Sequence, residues 1–143
     1  MPVSGTVDMP QSLKTAIRDF RLSKRSGITS ALVVKIDRAK LIMQLENEYN
    51  NITIEDLAQE LPENAPRFVL LSRPVVHPDG RKSYPLVLLN WVPPTSEIGM
   101  MTLHASALLG FQNAADVMRV IKILDGPESL TSKEIDEILL SFH

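Results

Sequence analysis

A long apolar segment followed by a strand rich in Val and Ile, residues 95–124, constrains the fold of this chain most strongly. Two prolines precede the segment and prevent the earlier strand from running on. Thr95 or Ser96 can cap a helix by accepting a backbone N–H, and Glu97 suits the positive end of the helix dipole. We therefore expect the helix to begin at Ser96 or Glu97.

The apolar side chains of this helix form two stripes on nearly opposite faces when the residues are placed 100° apart. One stripe comprises Ile98, Met101, Ala105, Leu108 and Leu109, and the other comprises Met100, Leu103, Ala107 and Phe111. Small residues lie between the stripes, at Gly99, Thr102, Ser106 and Gly110. A helix that covers a sheet needs one stripe only, so the other is either buried by more of this chain or bound by a partner. The sequence leaves both alternatives open.

The composition indicates one ordinary domain without covalent cross-links. A chain of 143 residues can bury roughly two-thirds of its surface. The absence of cysteine excludes disulfides and thiolate metal sites, and it fits a reducing compartment. Residues 1–5 lack the basic start and apolar core of a signal peptide, and no apolar run approaches the ~20 residues that span a bilayer. We expect a cytosolic location, with the nucleus open to diffusion.

The net charge of −2 favours neither nucleic acid nor membrane as a partner, but the charges are unevenly distributed. Residues 1–40 carry eight Lys or Arg against three Asp, whereas residues 41–143 carry seven basic and fourteen acidic residues. The first predicted helix places four basic residues on one face, Lys14, Arg18, Arg21 and Arg25. That row is either a solvated surface or a site for an anionic protein partner.

Hydrophobic periodicity predicts the order helix, hairpin, helix, hairpin, helix, strand, helix. The first helix is capped by Asp8 or Ser12, tolerates Pro10 in its first turn and ends at Gly27. The next elements are predicted over residues 30–37, 40–46, 54–61, 67–76, 81–92 and 117–124, with a last helix after a capping box of Thr131 and Glu134. Prolines at 74 and 85 cannot donate to a ladder, so their strands should be irregular there. Because a strand–helix–strand unit usually joins parallel strands, the fold class is α/β (α+β), a five-stranded mixed sheet flanked by helices on both faces.

No motif for catalysis or metal binding stands out. The three histidines, His77, His104 and His143, lack metal-site spacing, and the six glycines are too scattered for a phosphate-binding loop. Neither a Gly-x-Ser-x-Gly elbow nor a distinctive pair of carboxylates is found. We therefore predict no cofactor and no metal, and we favour a noncatalytic interaction module over an enzyme.

Three local sequences carry a family resemblance. They are Leu-Pro-Glu-Asn-Ala-Pro-Arg-Phe at 61–68, Asp-Gly-Arg-Lys-Ser-Tyr-Pro-Leu at 79–86 and Ser-Phe-His at 141–143. In this order they closely resemble the glia maturation factor branch of the actin-depolymerising-factor homology (ADF/cofilin) family. The likeness covers essentially the whole chain and implies a single ADF-homology domain over residues 1–143. It further implies a cytoplasmic monomer at cortical actin patches that binds the Arp2/3 complex, inhibits branched actin nucleation and promotes debranching, with an actin filament subunit as a second partner.

The long helix departs from the cofilin pattern, in which basic residues surround a Met-hydrophobic-Tyr-Ala-Ser-Ser-Lys motif that contacts actin. Aligning residues 103–106 with that motif puts Met101 and Leu108 at the basic positions. Aligning Met100 and Met101 with the motif instead shifts the register by two residues. In either register no Lys or Arg lies within residues 96–112. The resemblance therefore implies a partner similar to actin but not identical to it, with cofilin-like filament binding and severing as the alternative.

Two partner-binding sites follow from these patterns and from the resemblance. The first combines the N-terminal tail with small and apolar positions of the long helix, namely Ser4, Gly5, Met101, Thr102, Ala105, Ser106 and Leu109. The second combines the tip of the second hairpin with the last helix, which family members use to reach a filament subunit, namely His77, Asp79, Arg81, Lys82, Lys133 and Glu137. Ser4 also resembles a regulatory phosphorylation site of cofilins, or it is an unmodified tail residue.

Overall fold

The computed structural model describes residues 7–23 and 27–141, and its centre is a mixed five-stranded sheet with helices on both faces. The helices are α1 (Gln11–Leu22), α2 (Ile54–Glu60), α3 (Ile98–Ala115) and α4 (Ser132–Leu140). The strands are β1 (Ser30–Asp37), β2 (Ile42–Tyr49), β3 (Arg67–Ser72), β4 (Val75–Val76), β5 (Lys82–Ser83), β6 (Leu86–Trp91) and β7 (Val120–Ile123). The predicted order of elements and the predicted fold class are confirmed.

The strands of the main sheet lie in the order β2-β1-β3-β6-β7. β6 and β7 are parallel, and the other neighbouring strands are antiparallel. Because α3 joins two parallel strands, it runs back along the sheet as predicted for a crossover connection. The β1/β2 ladder contains a bulge, since Val33 lies opposite Asn47 and Val34 opposite Leu45, which leaves Glu46 as an extra residue in β2.

Pro74 and Pro85 divide the second hairpin, because a proline cannot donate a ladder hydrogen bond. The ladder of β3 and β6 ends before these prolines, and β4 with β5 forms a separate two-stranded sheet. The continuous strands predicted over 67–76 and 81–92 are therefore wrong in extent, whereas the expected irregularity at the prolines is confirmed. Gly80 at the turn has a φ of 88°, a conformation that glycine adopts without strain.

The sheet separates two hydrophobic layers. On one face α1 and α3 pack, with Leu13, Ile17 and Phe20 of α1 buried against the strands. On the other face α2 and α4 pack around Trp91, whose Nε1 donates to the Pro62 carbonyl at 2.8 Å. Both faces of the central strands are therefore covered by helices of this chain.

The start of α3 differs from the prediction because two hydroxyl groups have other partners. The helix begins at Ile98 with Glu97 as its N-cap residue, and no side chain caps it. Ser96 Oγ and Thr95 Oγ1 instead donate to loop carbonyls at 2.8 and 2.6 Å. The helix therefore starts one or two residues later than expected.

Both ends of α1 also differ from the prediction. Its N-cap residue is Pro10 rather than Asp8 or Ser12. Asp8 is engaged elsewhere, since its backbone makes two 2.9 Å hydrogen bonds with the edge of β2. The helix ends at Leu22, so the prediction that Gly27 ends it is wrong.

Two strands were predicted with the wrong ends, and one helix cap was predicted correctly. β2 begins later than the predicted 40–46 because Leu41, with a φ of 54°, still belongs to the turn, and it also ends later, at Tyr49. β7 is shorter than the predicted 117–124. Thr131 caps α4 by accepting the N–H of Glu134 at 3.2 Å, as its capping-box position predicts.

Candidate partner-binding surfaces

α3 packs on the sheet with one of its two apolar stripes. Phe111 is fully buried on this side and Ala107 nearly so. The opposite stripe faces outward, with 75% of Ile98 and 66% of Leu109 exposed. The alternative in which the whole helix is buried is therefore excluded. Leu108 of this outward stripe packs partly against the core, but no element within residues 7–23 and 27–141 covers Ile98, Ala105 or Leu109.

Five residues form an exposed surface that we call the outer face of α3: Ile98, Thr102, Ala105, Ser106 and Leu109. Four of them belong to the first predicted site, and the remaining helical member of that site, Met101, is half-buried. The N-terminal members, Ser4 and Gly5, lie outside the described residues. Ile98 is an addition to the prediction, and its place in the apolar stripe is the sequence signal that identifies it.

The outer face carries no charge. α3 contains no Asp, Glu, Lys or Arg in its 18 residues. Ser106 Oγ donates at 2.7 Å to a carbonyl one turn earlier, so its hydroxyl is satisfied within the helix. Charged pairs flank the helix, with Arg38 and Glu97 at its start and Arg21 and Asp116 at its end. The surface between them is uncharged and extends for about three turns.

The turn between β1 and β2 borders the start of the outer face through Arg38. The Arg38 guanidinium pairs with Glu97, 59 positions further along the chain. Gly99 makes room for this contact, because a Cβ at this position would lie 2.8 Å from Arg38 Nη2. This neighbour of the first site was absent from the prediction, and no local sequence pattern indicates it.

His104 lies on the inner side of α3 and is buried, with 2% of its surface exposed. Its Nε2 is 2.6 Å from Asn90 Oδ1, and its ring stacks on Phe68 with the centroids 3.9 Å apart. Because an amide oxygen only accepts, Nε2 carries the proton. Burial, with a smaller effect of the Arg67 charge, lowers the pKa of His104 to about 4. His104 is therefore an uncharged core residue at neutral pH.

The tip of the second hairpin is cross-linked by its own side chains. Asp79 Oδ1 accepts the backbone N–H of Arg81 at 3.0 Å, and Asp79 Oδ2 pairs with the Arg81 guanidinium at 3.2 Å. These contacts, chiefly the backbone hydrogen bond, lower the pKa of Asp79. His77 Nε2 lies 2.8 Å from Ser83 Oγ across the hairpin. Arg81 and Lys82 are exposed, so their charges are available to a partner.

The base of this hairpin is joined to α4 by an ion pair. Arg73 donates to both carboxylate oxygens of Asp136, at 2.6 and 3.0 Å, and to Thr29 Oγ1 at 2.9 Å. β4 also packs against α4. Lys133 and Glu137 are exposed on α4, one turn apart. The hairpin half and the α4 half of the second predicted site therefore lie on adjacent elements. Arg73, which the prediction did not include, links them.

Within the described ranges, no group of three or more His, Asp or Glu side chains could hold a metal ion. None of the helices in these ranges is long and apolar enough to cross a membrane.

Comparisons with known proteins identify the class that this fold and surface define. The family described as Cofilin/tropomyosin-type actin-binding protein matches residues 6–139, and the chain belongs to this family. Actin depolymerization factor 2 of Plasmodium berghei has a similar structure, with a TM-score of 0.78 over 94% of this chain and 96% of that chain. The two sequences are 12% identical, so this likeness shows the fold alone.

Two closer relatives place the chain in the glia maturation factor branch. Glia maturation factor beta of Homo sapiens is 32% identical over 136 residues, which cover 95% of this chain and 94% of the relative. The solution structure of glia maturation factor from Caenorhabditis elegans has a TM-score of 0.80 at 33% identity and covers 96% of this chain and 99% of that chain. The family predicted from local sequence is thereby confirmed. Membership of this family identifies the protein as an actin-related regulator.

Proposed function

We propose that this protein binds the Arp2/3 complex through the outer face of α3, inhibits branched actin nucleation and promotes debranching of actin networks. The observation that carries this proposal is the absence of charge along α3, where the cofilin pattern has basic residues that contact actin. Membership of the glia maturation factor branch supports a partner that is related to actin but distinct from it. The actin-related subunits of the Arp2/3 complex are partners of that kind.

The outer face can bind by burying apolar surface. Ile98 and Leu109 stand about 16 Å apart along the helix axis, at 1.5 Å per residue. Each contributes about 2 kcal/mol when a partner buries it fully. The side chains between them are small, so a partner can approach the helix backbone closely, as in other helix-in-groove complexes. Because association itself costs several kcal/mol, this face alone would give modest affinity.

A second contact is proposed at the hairpin tip and α4, through His77, Asp79, Arg81, Lys82, Lys133 and Glu137. Charged side chains at an exposed hairpin tip contribute little to folding, which leaves them available for binding. Arg73 joins the hairpin base to α4 through Asp136, which holds the two halves of this contact next to each other. We assign this contact to an actin filament subunit at a branch, so that the protein bridges filament and complex. The role is noncatalytic, needs no cofactor and belongs to the cytoplasmic actin network, including cortical actin patches.

Cofilin-like binding and severing of filaments is the second candidate function. Lys14 and Arg18 on α1 favour it, because they supply exposed positive charge on the helix that packs beside α3. Phosphorylation of Ser4 would add negative charge to the first predicted site and remains a prediction.

Precipitation with purified Arp2/3 complex and cosedimentation with pure actin filaments separate the two functions. Ser106→Glu puts a charge at the centre of the outer face and should abolish complex binding and debranching. Gln59→Glu puts the same charge on the exposed surface of α2 and should change neither. Both variants should unfold near the wild-type temperature, since both positions are exposed. Severing by the wild-type protein, or full complex binding by Ser106→Glu, would refute the proposal.

A further inference from the structure

A basic groove lies between α1 and the last turn of α3, and it shares no residue with the outer face. The groove has a volume of about 340 Å³ and is lined by Gln11, Lys14, Thr15, Arg18, Arg21 and Ala114. The opposite side of α1 is anchored in the core by Leu13, Ile17 and Phe20. The basic side chains therefore project from a helix whose orientation is fixed by packing.

Most of the positive charge in this groove is uncompensated. Arg21 pairs with Asp116 at 3.2 Å, and 77% of the Asp116 side chain is exposed. Lys14 and Arg18 form no ion pair with any carboxylate in the described ranges. Asp19, the single acidic residue of α1, lies 100° around the helix from Arg18 and does not line the groove. The groove is therefore complementary to a negatively charged ligand.

We propose that this groove binds an extended acidic peptide segment of a protein partner, with carboxylates at alternate positions. Lys14 and Arg18 lie about 6 Å apart along the helix axis, and alternate residues of an extended strand lie about 6.6 Å apart. Arg18 offers a planar guanidinium group that can pair with a carboxylate through two hydrogen bonds. Gln11 and Thr15 can hydrogen-bond to the peptide backbone between the carboxylates. The proposal does not depend on binding to the Arp2/3 complex.

A peptide fits this groove better than a membrane surface does. The basic groups line a recess between two helices, which an extended chain can enter and a flat bilayer surface cannot follow. The net charge of −2 also opposes adsorption of the whole molecule to anionic lipid. The peptide contacts are exposed ion pairs, so we expect weak binding that is sensitive to salt.

Fluorescence anisotropy of the full chain with a labelled peptide of alternating glutamate and serine tests the proposal. We expect saturable binding at low salt and a loss of affinity of about ten-fold or more in Lys14→Glu/Arg18→Glu. A peptide of the same composition with its glutamates clustered should bind more weakly, because its carboxylate spacing no longer matches the groove. Circular dichroism verifies folding, and the milder pair Lys14→Gln/Arg18→Gln replaces the reversal variant if that variant unfolds.

The matched control is Lys40→Glu/Lys122→Glu, which makes the same change in net charge at exposed positions outside the groove. Its affinity for the peptide should stay within about two-fold of wild type. Equal weakening in both double variants, equal binding of an all-serine peptide, or equally tight binding to phosphatidylserine vesicles would overturn the proposal. Ser106→Glu should leave peptide binding unchanged, so that a failure at the groove is distinguishable from a failure at the outer face.

Discussion

Apolar residues close together on α3 have different roles because their side chains point in different directions. Leu109 is 66% exposed, whereas Phe111, two positions later, is fully buried with its ring 4.8 Å from that of Phe68. Folding therefore removes the apolar surface of Phe111 from water but leaves most of that of Leu109 exposed. Stability and partner binding should therefore depend on different members of the same helix.

Leu109→Ala should change the free energy of unfolding by less than about 0.5 kcal/mol, as at other exposed positions. Phe111→Ala should cost about 3 to 5 kcal/mol, because it leaves a cavity in the layer between α3 and the sheet. Urea unfolding measures both values. Complex binding should respond to Leu109→Ala despite its unchanged stability. A large loss of stability in that variant would contradict the orientation of α3.

The free energy of unfolding should fall as the pH drops from 6.5 towards 4, because of His104. The pKa of this residue is lowered from the model-peptide value of 6.5 to about 4 in the folded chain, so between these values the unfolded state binds more protons. The stabilising contribution is complete above pH 6.5, and roughly 2 kcal/mol of it is lost by pH 5. Urea unfolding at pH 7 and pH 5 measures the difference.

One variant identifies the group responsible. His104→Leu should be less stable at neutral pH, because Asn90 loses its hydrogen-bond partner, but it should lack this loss between pH 7 and pH 5. An unchanged slope in His104→Leu would assign the effect to another group.

At the scale of elements, the sequence predicts helices and strands better than their ends. β1 agrees with the predicted range 30–37, because its run of apolar and β-branched residues and the turn residues on either side are all visible in the local sequence. The positions at which α1 and α3 begin depend instead on contacts with residues distant in sequence. Asp8 pairs with β2, and the hydroxyl of Thr95 donates to a loop carbonyl 32 positions earlier in the chain. Local propensity carries no information about such contacts.

The candidate sites likewise contain some residues that the local sequence predicts and others that depend on distant contacts. Helical periodicity together with the family resemblance selected Thr102, Ala105 and Leu109, which share one stripe or its margin. Periodicity could not decide which stripe the sheet covers. Arg38 and Arg73 were missed because their partners lie 59 and 63 positions away in sequence. The sequence therefore predicts the surface, and the structure adds the contacts that hold its borders.

Arg81→Ala/Lys82→Ala should slow branch removal while leaving thermal stability and Arp2/3 binding nearly intact. Both residues are exposed, and the pair of Arg81 with Asp79 is a surface ion pair that contributes little to folding. Microscopy of branched actin networks measures the rate, with Lys40→Ala/Lys122→Ala as the control for lost positive charge. Unchanged debranching in the hairpin variant, together with its loss in Ser106→Glu, would mean that the long helix acts alone.

At the scale of the whole molecule, an uncharged and a basic surface adjoin on the same side of the sheet. The outer face belongs to α3, and the groove is formed by α1 with the last turn of α3. Both helices pack in the same hydrophobic layer. Two partners of different chemistry could therefore be held by one side of this domain.

These surfaces should respond differently to ionic strength. Raising salt from low to physiological concentration should change the affinity for the Arp2/3 complex by less than about three-fold if the uncharged outer face dominates that contact. The same change should weaken acidic peptide binding much more. Titrations of one protein preparation with both ligands measure the two slopes. A steep slope for the complex would indicate that basic residues, rather than α3, carry the contact.

Glu46 occupies the bulge in β2, an outermost strand of the sheet, and its carboxylate is bound by Arg67 Nε and Nη2 at 2.9 and 3.2 Å. Asp8 covers the beginning of the same strand. A flat, unpaired strand edge is a template on which other chains can stack into fibrils. A bulge interrupts the regular ladder that such stacking requires. We therefore expect the irregularity in β2 to oppose edge-to-edge pairing of folded chains.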